Sequence, residues 1–324
     1  MAKTYSGIRE SRPERYNDIG TTGEAVARDF SNRCLKREDR SFAQGLQCQQ
    51  INSMAALMSL DDAVFIAHSP QGCVGCTSLA VDQFRVGQAH RGVKHIRNPR
   101  IIVTNLDQKS VIFGGESRLE KAVQDAVERY HPKLIFIFAS CASGIIGDDI
   151  DASARKLQEK YDALIIPIHC EGFKSKICAS GFDAAFIAIN KYILKNKKRE
   201  KQDNLINLFA PVSISYADQK EMEKIQRIPS AAASASICKV FADEFMKTLE
   251  EDYGIPYSHT VMPIGVRNTD KWFLGIAKVV GKEKEALEII QKEHKRILPL
   301  VQEIKERLQI SWKIQDLIKN WLHT

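Results

Sequence analysis

Short, uninterrupted apolar runs alternate along the chain with segments whose apolar residues recur every three or four positions. Runs of the first kind at 63–67 (Ala-Val-Phe-Ile-Ala), 100–104, 133–139 (Lys-Leu-Ile-Phe-Ile-Phe-Ala), 164–168 and 205–209 predict strands buried on both faces. Between them, 117–130 (Ser-Arg-Leu-Glu-Lys-Ala-Val-Gln-Asp-Ala-Val-Glu-Arg-Tyr), 148–160 and 181–194 carry helical periodicity, and 51–60 is helix-like ahead of the first strand. Strands that alternate with helices predict an α/β fold, a doubly wound parallel sheet covered on both faces. Further on, 231–253 reads as one long helix closed by Gly254 with Pro256 just beyond, 258–264 as a short strand, and 282–323 as basic amphipathic helix.

These elements suggest four parts. Residues 1–45 form a polar N-terminal arm, 46–200 a first α/β domain, 201–281 a partial second α/β domain, and 282–324 a helical C-terminal tail. The boundary between the two domains falls on the basic linker at 195–203, which holds Lys195, Lys197, Lys198, Arg199 and Lys201. No aromatic residues interleave with that run and no nucleic-acid motif accompanies it, so it reads as a solvated linker rather than a contact for nucleic acid. A net charge of +7 over 324 residues changes little in this picture. No apolar stretch of membrane-spanning length and no signal-peptide core occur, which points to a cytoplasmic protein.

Eight cysteines without an export signal are the unusual feature. Structural disulfides are disfavoured in a reducing compartment, so each cysteine is a small packed residue, a reactive thiol or a metal ligand. Position separates these cases. Cys73 follows the strand at 63–67, Cys141 directly follows 133–139, and Cys170 follows 164–168. Ligands of open parallel sheets bind beyond the carboxyl ends of the strands, so three strands deliver thiols to one edge. Cys73-Val74-Gly75-Cys76 is a solitary CxxC without the second pair of a zinc ribbon. Thiols drawn from Cys48, Cys73 and Cys141 suit an iron–sulfur cluster in a preformed crevice, with the missing ligands supplied across an interface. The segment Gly144-Ile145-Ile146-Gly147-Asp148-Asp149 lacks the Lys-Ser/Thr of a phosphate loop, and its two acids would repel an anion.

Taken in order, Cys48-Gln49-Gln50, His68-Ser69-Pro70-Gln71-Gly72-Cys73, Ile112-Phe113-Gly114-Gly115-Glu116, the run from Ser140 to Asp149, and Cys170-Glu171-Gly172-Phe173 resemble the nitrogenase component 1 family, with the α-type chain the nearest pattern. The similarity spans about 45–195 and continues through Ser236-Ile237-Cys238 and Tyr253-Gly254-Ile255-Pro256 to about Gly281. The resemblance implies Rossmann-like domains and a heterotetramer with a β-type component 1 subunit. It also implies electron delivery from a homodimeric, ATP-dependent [4Fe–4S] reductase. Cys48, Cys73 and Cys141 match the α-side ligands of an interfacial iron–sulfur cluster, P-cluster-like or [4Fe–4S]. Cys238, expected on the second domain's helix, matches the thiol that ligates an iron–molybdenum-type or other active-site cofactor.

Departures from the family pattern shape the expected function. Phe182 and Asp183 stand where a cofactor-binding histidine is expected, and Val81 where an arginine is expected. The expected substrate is a small molecule, dinitrogen or another, with these departures weighing against dinitrogen and catalytic residues unassigned beyond the neighbourhood of Cys238 and Asp183. The resemblance also implies that a third α/β domain is missing and that 225–229 is compressed, as if a strand and its loop were absent. Three readings follow: a nitrogenase-like oxidoreductase subunit, a cofactor-assembly scaffold, or a truncated non-catalytic family member.

Overall fold

The computed structural model describes residues 48–322 except 76, 91, 175–178, 196, 210–221 and 259–260, together with Thr22, Glu24 and Arg28. The predicted arm at 1–45, those three residues apart, and Cys76 of the CxxC lie outside the described residues.

Four parallel strands form the larger sheet: β1 (Ala63–His68), β2 (Arg100–Val103), β3 (Leu134–Ala139) and β4 (Leu164–Ile168), in the order β2-β1-β3-β4. The chain steps outward from β1 to β2, then returns to the other side of β1 for β3 and β4. That reversal puts the topological switch point, where α/β sheets open a crevice, between β1 and β3.

Alternate residues of each strand enter different cores. Phe65, Ala67, Phe136, Phe138, Ile166 and Ile168 pack with Met54, Leu57 and Phe186 on one face. Val64, Ile66, Ile135, Ile137 and Ile165 pack with Leu119, Val123, Ile150 and Leu157 on the other. Every residue of β1 and β3 is buried, as their apolar runs require, and His68 at the end of β1 is buried with both ring nitrogens partnered. Pro167 is accommodated because, in the described sheet, β4 pairs only with β3, which leaves its other edge without a ladder to supply.

The helices are α1 (Gln49–Leu57), α2 (Gln71–Gly75), α3 (Ser78–His90), α4 (Gln108–Phe113), α5 (Glu116–Tyr130), α6 (Cys141–Ile146), α7 (Ile150–Gln158) and α8 (Ala179–Ile189). A π-helical turn, Asn190–Leu194, extends α8. A second, two-stranded parallel sheet pairs β5 (Gln202–Phe209) with β6 (Ala231–Ser236). The short helix α9 (Met222–Gln226) and the turn Ile228–Ser230 lead straight into β6 across the stretch that reads as compressed. Then come α10 (Lys239–Tyr253), α11 (Val266–Val280) and α12 (Glu283–Leu322). Among the described residues no helix is long and apolar enough to cross a membrane.

Two expectations need correction. The segment 231–253 is not one helix, because Ala231–Ser236 is a fully buried strand and the helix begins at Lys239. Small side chains let β6 sit beneath neighbours that a bulkier strand would displace, and Trp272 Nε1 donates to Ser236 O at 2.9 Å. Tertiary packing here overrides the high helix propensity of alanine. The strand expected at 258–264 is also absent from its described residues: Tyr257 makes one isolated parallel bridge to Ser234, and 261–264 pair with nothing as strand.

Candidate metal centre

Cys48 is the N-cap of α1, and two buried bonds fix that helix. Gln50 Nε2 donates to Phe138 O at the end of β3 (3.2 Å), and Ser53 Oγ donates to Gly181 O on α8 (2.5 Å). A Cβ on Gly181 would lie 2.5 Å from Gln49 O, so only glycine lets α8 come this close. Cys141 opens α6 behind the N-cap Ser140. Ser143 N donates to Ser140 Oγ (3.2 Å) and Ser140 N donates to Ser143 Oγ (2.8 Å), a reciprocal cap that sets where the helix starts.

The two cysteines meet at Gly172, in the turn after β4. A Cβ built there would lie 3.3 Å from Cys141 Sγ and 3.6 Å from Cys48 Cβ. The structure therefore brings together residues 93 positions apart in sequence. Cys73 stands on α2, past the end of β1 and so on the same sheet edge at the switch point. None of Cys48, Cys73 and Cys141 is in a disulfide. Cys170 is different. It is fully buried, its Sγ donates to Ala139 O at 3.3 Å, and burial pushes its thiol well above the usual range, so it stays protonated and serves packing.

Beneath this edge lies a network that the sequence does not announce. His68, the last residue of β1, has Nε2 2.8 Å from Asp148 Oδ2 and Nδ1 3.1 Å from Thr104 Oγ1. Asp148 also accepts from Gly115 N through both oxygens, at 2.9 and 3.1 Å. An acceptor at Nε2 and a hydroxyl at Nδ1 define the Nε2–H tautomer. Burial holds the imidazole below its ordinary value against the pull of Asp148. The adjacent acids Asp148 and Asp149 thus do different work. Asp149 caps α7 through Ala152 N at 2.8 Å, and Asp148 turns inward to tie the two loops at the switch point. Position before a helix signalled Asp149, and nothing in the local pattern signalled Asp148.

Glu171, beside Gly172, is buried. Its Oε1 accepts from Lys174 Nζ at 2.6 Å, and His169 Nδ1 lies 3.7 Å away. Burial opposes its charge, but His169 and Lys174 together hold the carboxyl below the usual range.

Cys238 lies on the loop between β6 and α10 as the helix N-cap, rather than on the helix where it was expected. It too follows a strand end. Its neighbour across the core is α8, where the Phe182 ring packs 4.7 Å from that of Phe241. Phe182, Val81 and Cys238 are partly buried against the same apolar cluster, and Asp183 is half-buried beside Phe182.

Cysteine thiols brought together in this way suit iron–sulfur chemistry, and the absence of a Cβ at Gly172 leaves room beside Cys48 and Cys141. Among the described residues no three His, Cys, Asp or Glu side chains close around a single ion. A multi-iron cluster does not require that, because each thiolate reaches a different iron. Large apolar side chains stand exposed on neighbouring elements: Ile112 (73%) and Phe113 (84%) on α4, and Ile145 (75%) on α6. Exposed apolar patches of this kind are a feature of interaction surfaces.

Known proteins share the family pattern and the fold of this chain. The family described as nitrogenase component 1 type oxidoreductase matches residues 48–227 and 215–311. The nitrogenase iron-molybdenum cofactor biosynthesis protein NifE of Clostridium pasteurianum is 29% identical over 284 residues, covering 81% of this chain and 60% of its own length. Its counterpart from Methanococcus maripaludis is 27% identical over 299 residues, covering 85% and 61%. The nitrogenase molybdenum-iron protein alpha chain of Methanosarcina barkeri is 24% identical over 274 residues, covering 77% and 51%. The chain thus spans between half and two thirds of the length of these relatives. A solved structure, nitrogenase Cp1 at pH 5, shares the fold with a TM-score of 0.65 at 22% identity, covering 82% of this chain and 58% of its own. With its family pattern matched from Cys48 onward, this chain belongs to the nitrogenase component 1 type oxidoreductases.

Proposed function

We propose that this chain is the α-type half of a component 1 complex and holds, through Cys48, Cys73 and Cys141, an iron–sulfur cluster shared with a β-type partner chain. The observation that carries this reading is the approach of Cys48 and Cys141 around Gly172. A bound cluster supplies one-electron chemistry at the sheet edge. The chain's own part is to fix the thiols. Gln50 and Gly181 position α1, the Ser140–Ser143 cap positions α6, and the His68–Asp148 pair ties the loops beneath them. The apolar side chains of Ile112, Phe113 and Ile145 are suited to exclude water once a partner covers them. In this reading an ATP-dependent [4Fe–4S] reductase is the electron source and a small molecule the acceptor, reduced near Cys238 with Asp183 in its neighbourhood.

A second reading, a scaffold that holds a cofactor precursor and hands it on, is favoured by one observation. Where hydrogen-bond donors to an active-site cofactor are expected, Val81 and Phe182 are packed into the apolar cluster. The cofactor-biosynthesis relatives support the same reading.

Anaerobic co-purification with the β-type partner chain is expected to yield a brown complex with an iron–sulfur EPR signal. Cys48→Ala or Cys141→Ala should remove that signal and most of the iron, whereas Cys238→Ala should leave this cluster in place. Unchanged iron in the first two variants would refute the ligand assignment. Release of metal to an acceptor apoprotein without substrate reduction identifies the scaffold, and reductase- and ATP-dependent turnover identifies the enzyme.

A further inference from the structure

Glu171 is a buried carboxylate that the local structure does not fully satisfy. Its side chain is 4% exposed. Oε1 is paired with Lys174 Nζ at 2.6 Å, but Oε2 is shut off from water and has no hydrogen-bond partner among the described residues. Buried carboxylate oxygens are nearly always paired, so an orphan in a native fold calls for a reason. The fold also goes out of its way to seat this group. Gly144, in the middle of α6, would place a Cβ 2.9 Å from Glu171 Cγ and 3.2 Å from Oε1, so no larger residue fits there without moving the carboxylate. The helix so contacted begins at Cys141, and the residue after Glu171 is Gly172, where Cys48 and Cys141 converge. A carboxylate is thus packed against the helix that opens with Cys141, one residue before the glycine where Cys48 and Cys141 meet, and only one of its two oxygens is paired.

We propose that Glu171 is a positioning residue that sets the redox potential of the cluster held at this edge, an inference that rests on the cluster reading above. A fixed negative charge in a low-dielectric wall disfavours the arrival of an electron nearby, and it does so more strongly than a surface charge would. Glu171 therefore keeps the site's potential low. Lys174, half-exposed on the opposite side of the carboxylate's ion pair, opposes it only in part, because water screens its outer face. The arrangement makes Glu171 and Lys174 a matched pair of controls with opposite sign, and neither is itself a proposed ligand.

The test is spectroelectrochemical titration of the full chain co-purified with its partner, with iron content measured on the same samples. Glu171→Gln preserves the shape and removes the charge. The ratio of reduced to oxidised cluster at a fixed potential is expected to rise about tenfold, which is about 59 mV for one electron. Iron content should stay at the wild-type level. Lys174→Gln should move the midpoint the other way by a smaller amount, and it supplies the test if the glutamate variant does not fold. Midpoints unchanged in both variants at full iron content would overturn the proposal, and so would shifts of the same sign in both, which would mark a packing disturbance. A wild-type complex that carries no iron would instead overturn the cluster reading itself, so the two failures are distinguishable.

Discussion

At the carboxyl edge of the four-stranded sheet, His68, Thr104, Gly115 and Asp148 come from four separate segments and are bonded to one another beneath the cysteines. At the end of the two-stranded sheet, Cys238 is held by its helix, through Phe241 N donating to Cys238 O at 3.1 Å, and by a serine turn in which Ser236 Oγ accepts from Cys238 N at 3.3 Å and donates to Cys238 O at 2.7 Å. The larger sheet is covered on both faces by apolar side chains, and every residue of β1 and β3 is buried. In the smaller one β6 is fully buried, but β5 exposes Ile206 and Leu208 and hides only Asn207 and Phe209. The first edge is therefore preorganised by the chain's own side chains, while the second is a thiol on a plain connection. What a rigid rim offers is precision: thiols that must reach fixed positions need loops tied to the core beneath them.

Substitutions can break this contrast. The largest effect on stability is expected at Asp148. In Asp148→Ala, His68 Nε2 and Gly115 N both lose their acceptor in a buried site, which should cost about 3 kcal/mol. Urea denaturation measures it directly, and a loss under about 1 kcal/mol would mean that the switch-point loops are held by something other than this carboxylate.

Acid should act on the same rim at an intermediate level. His68 has its protonation pushed below the ordinary imidazole value by burial, so the unfolded chain takes up a proton near pH 6.5 while the folded chain remains neutral. Stability contributed here is complete above about pH 6.5 and is lost as pH falls through the region between the unfolded and folded values. The urea midpoint of the wild-type chain should drop from pH 7 toward pH 5, and His68→Asn should flatten that slope. An equally steep slope in the variant would assign the acid sensitivity to other groups.

The smallest effect belongs to the second sheet. Asn207 Nδ2 donates to Ile228 O at 3.0 Å and to Ser234 Oγ at 3.2 Å, bracing β5 against β6. Asn207→Ala should cost about 1 kcal/mol and leave the iron content of the complex untouched. A loss of iron from this variant would show that the two edges are coupled after all.

Much of the larger sheet could be read directly from residue order. The apolar runs at 63–67 and 133–139 became β1 and β3, because a strand buried on both faces has no polar position to interrupt it. The helix at 117–130 emerged as α5 with its apolar stripe of Leu119, Ala122, Val123 and Ala126 facing the sheet. The smaller sheet was harder. Ala-Ala-Ala-Ser-Ala-Ser carries a helix-forming composition and no alternation, and its strand character comes from the partner β5 and from the neighbours pressing on it. For the site, Cys73 and Cys141 were legible because each follows a strand, whereas Cys48 was marked only by the family pattern. Asp148 was not, since its partners lie 80 and 33 positions away in sequence.

Residue order alone carried the alternation of strand and helix, the placement of thiols just beyond strand ends, and the run of motifs that marks the family. Each of these is a local property, written within a few neighbouring positions by periodicity or by spacing. The folded chain added the reversal between β1 and β3, the meeting of Cys48 with Cys141 at Gly172, the inward turn of Asp148, and the unpaired oxygen of Glu171. Those depend on which distant segments pack against each other. That choice follows from the collective burial of two apolar faces and from close approaches at glycine, and no short stretch of sequence contains it.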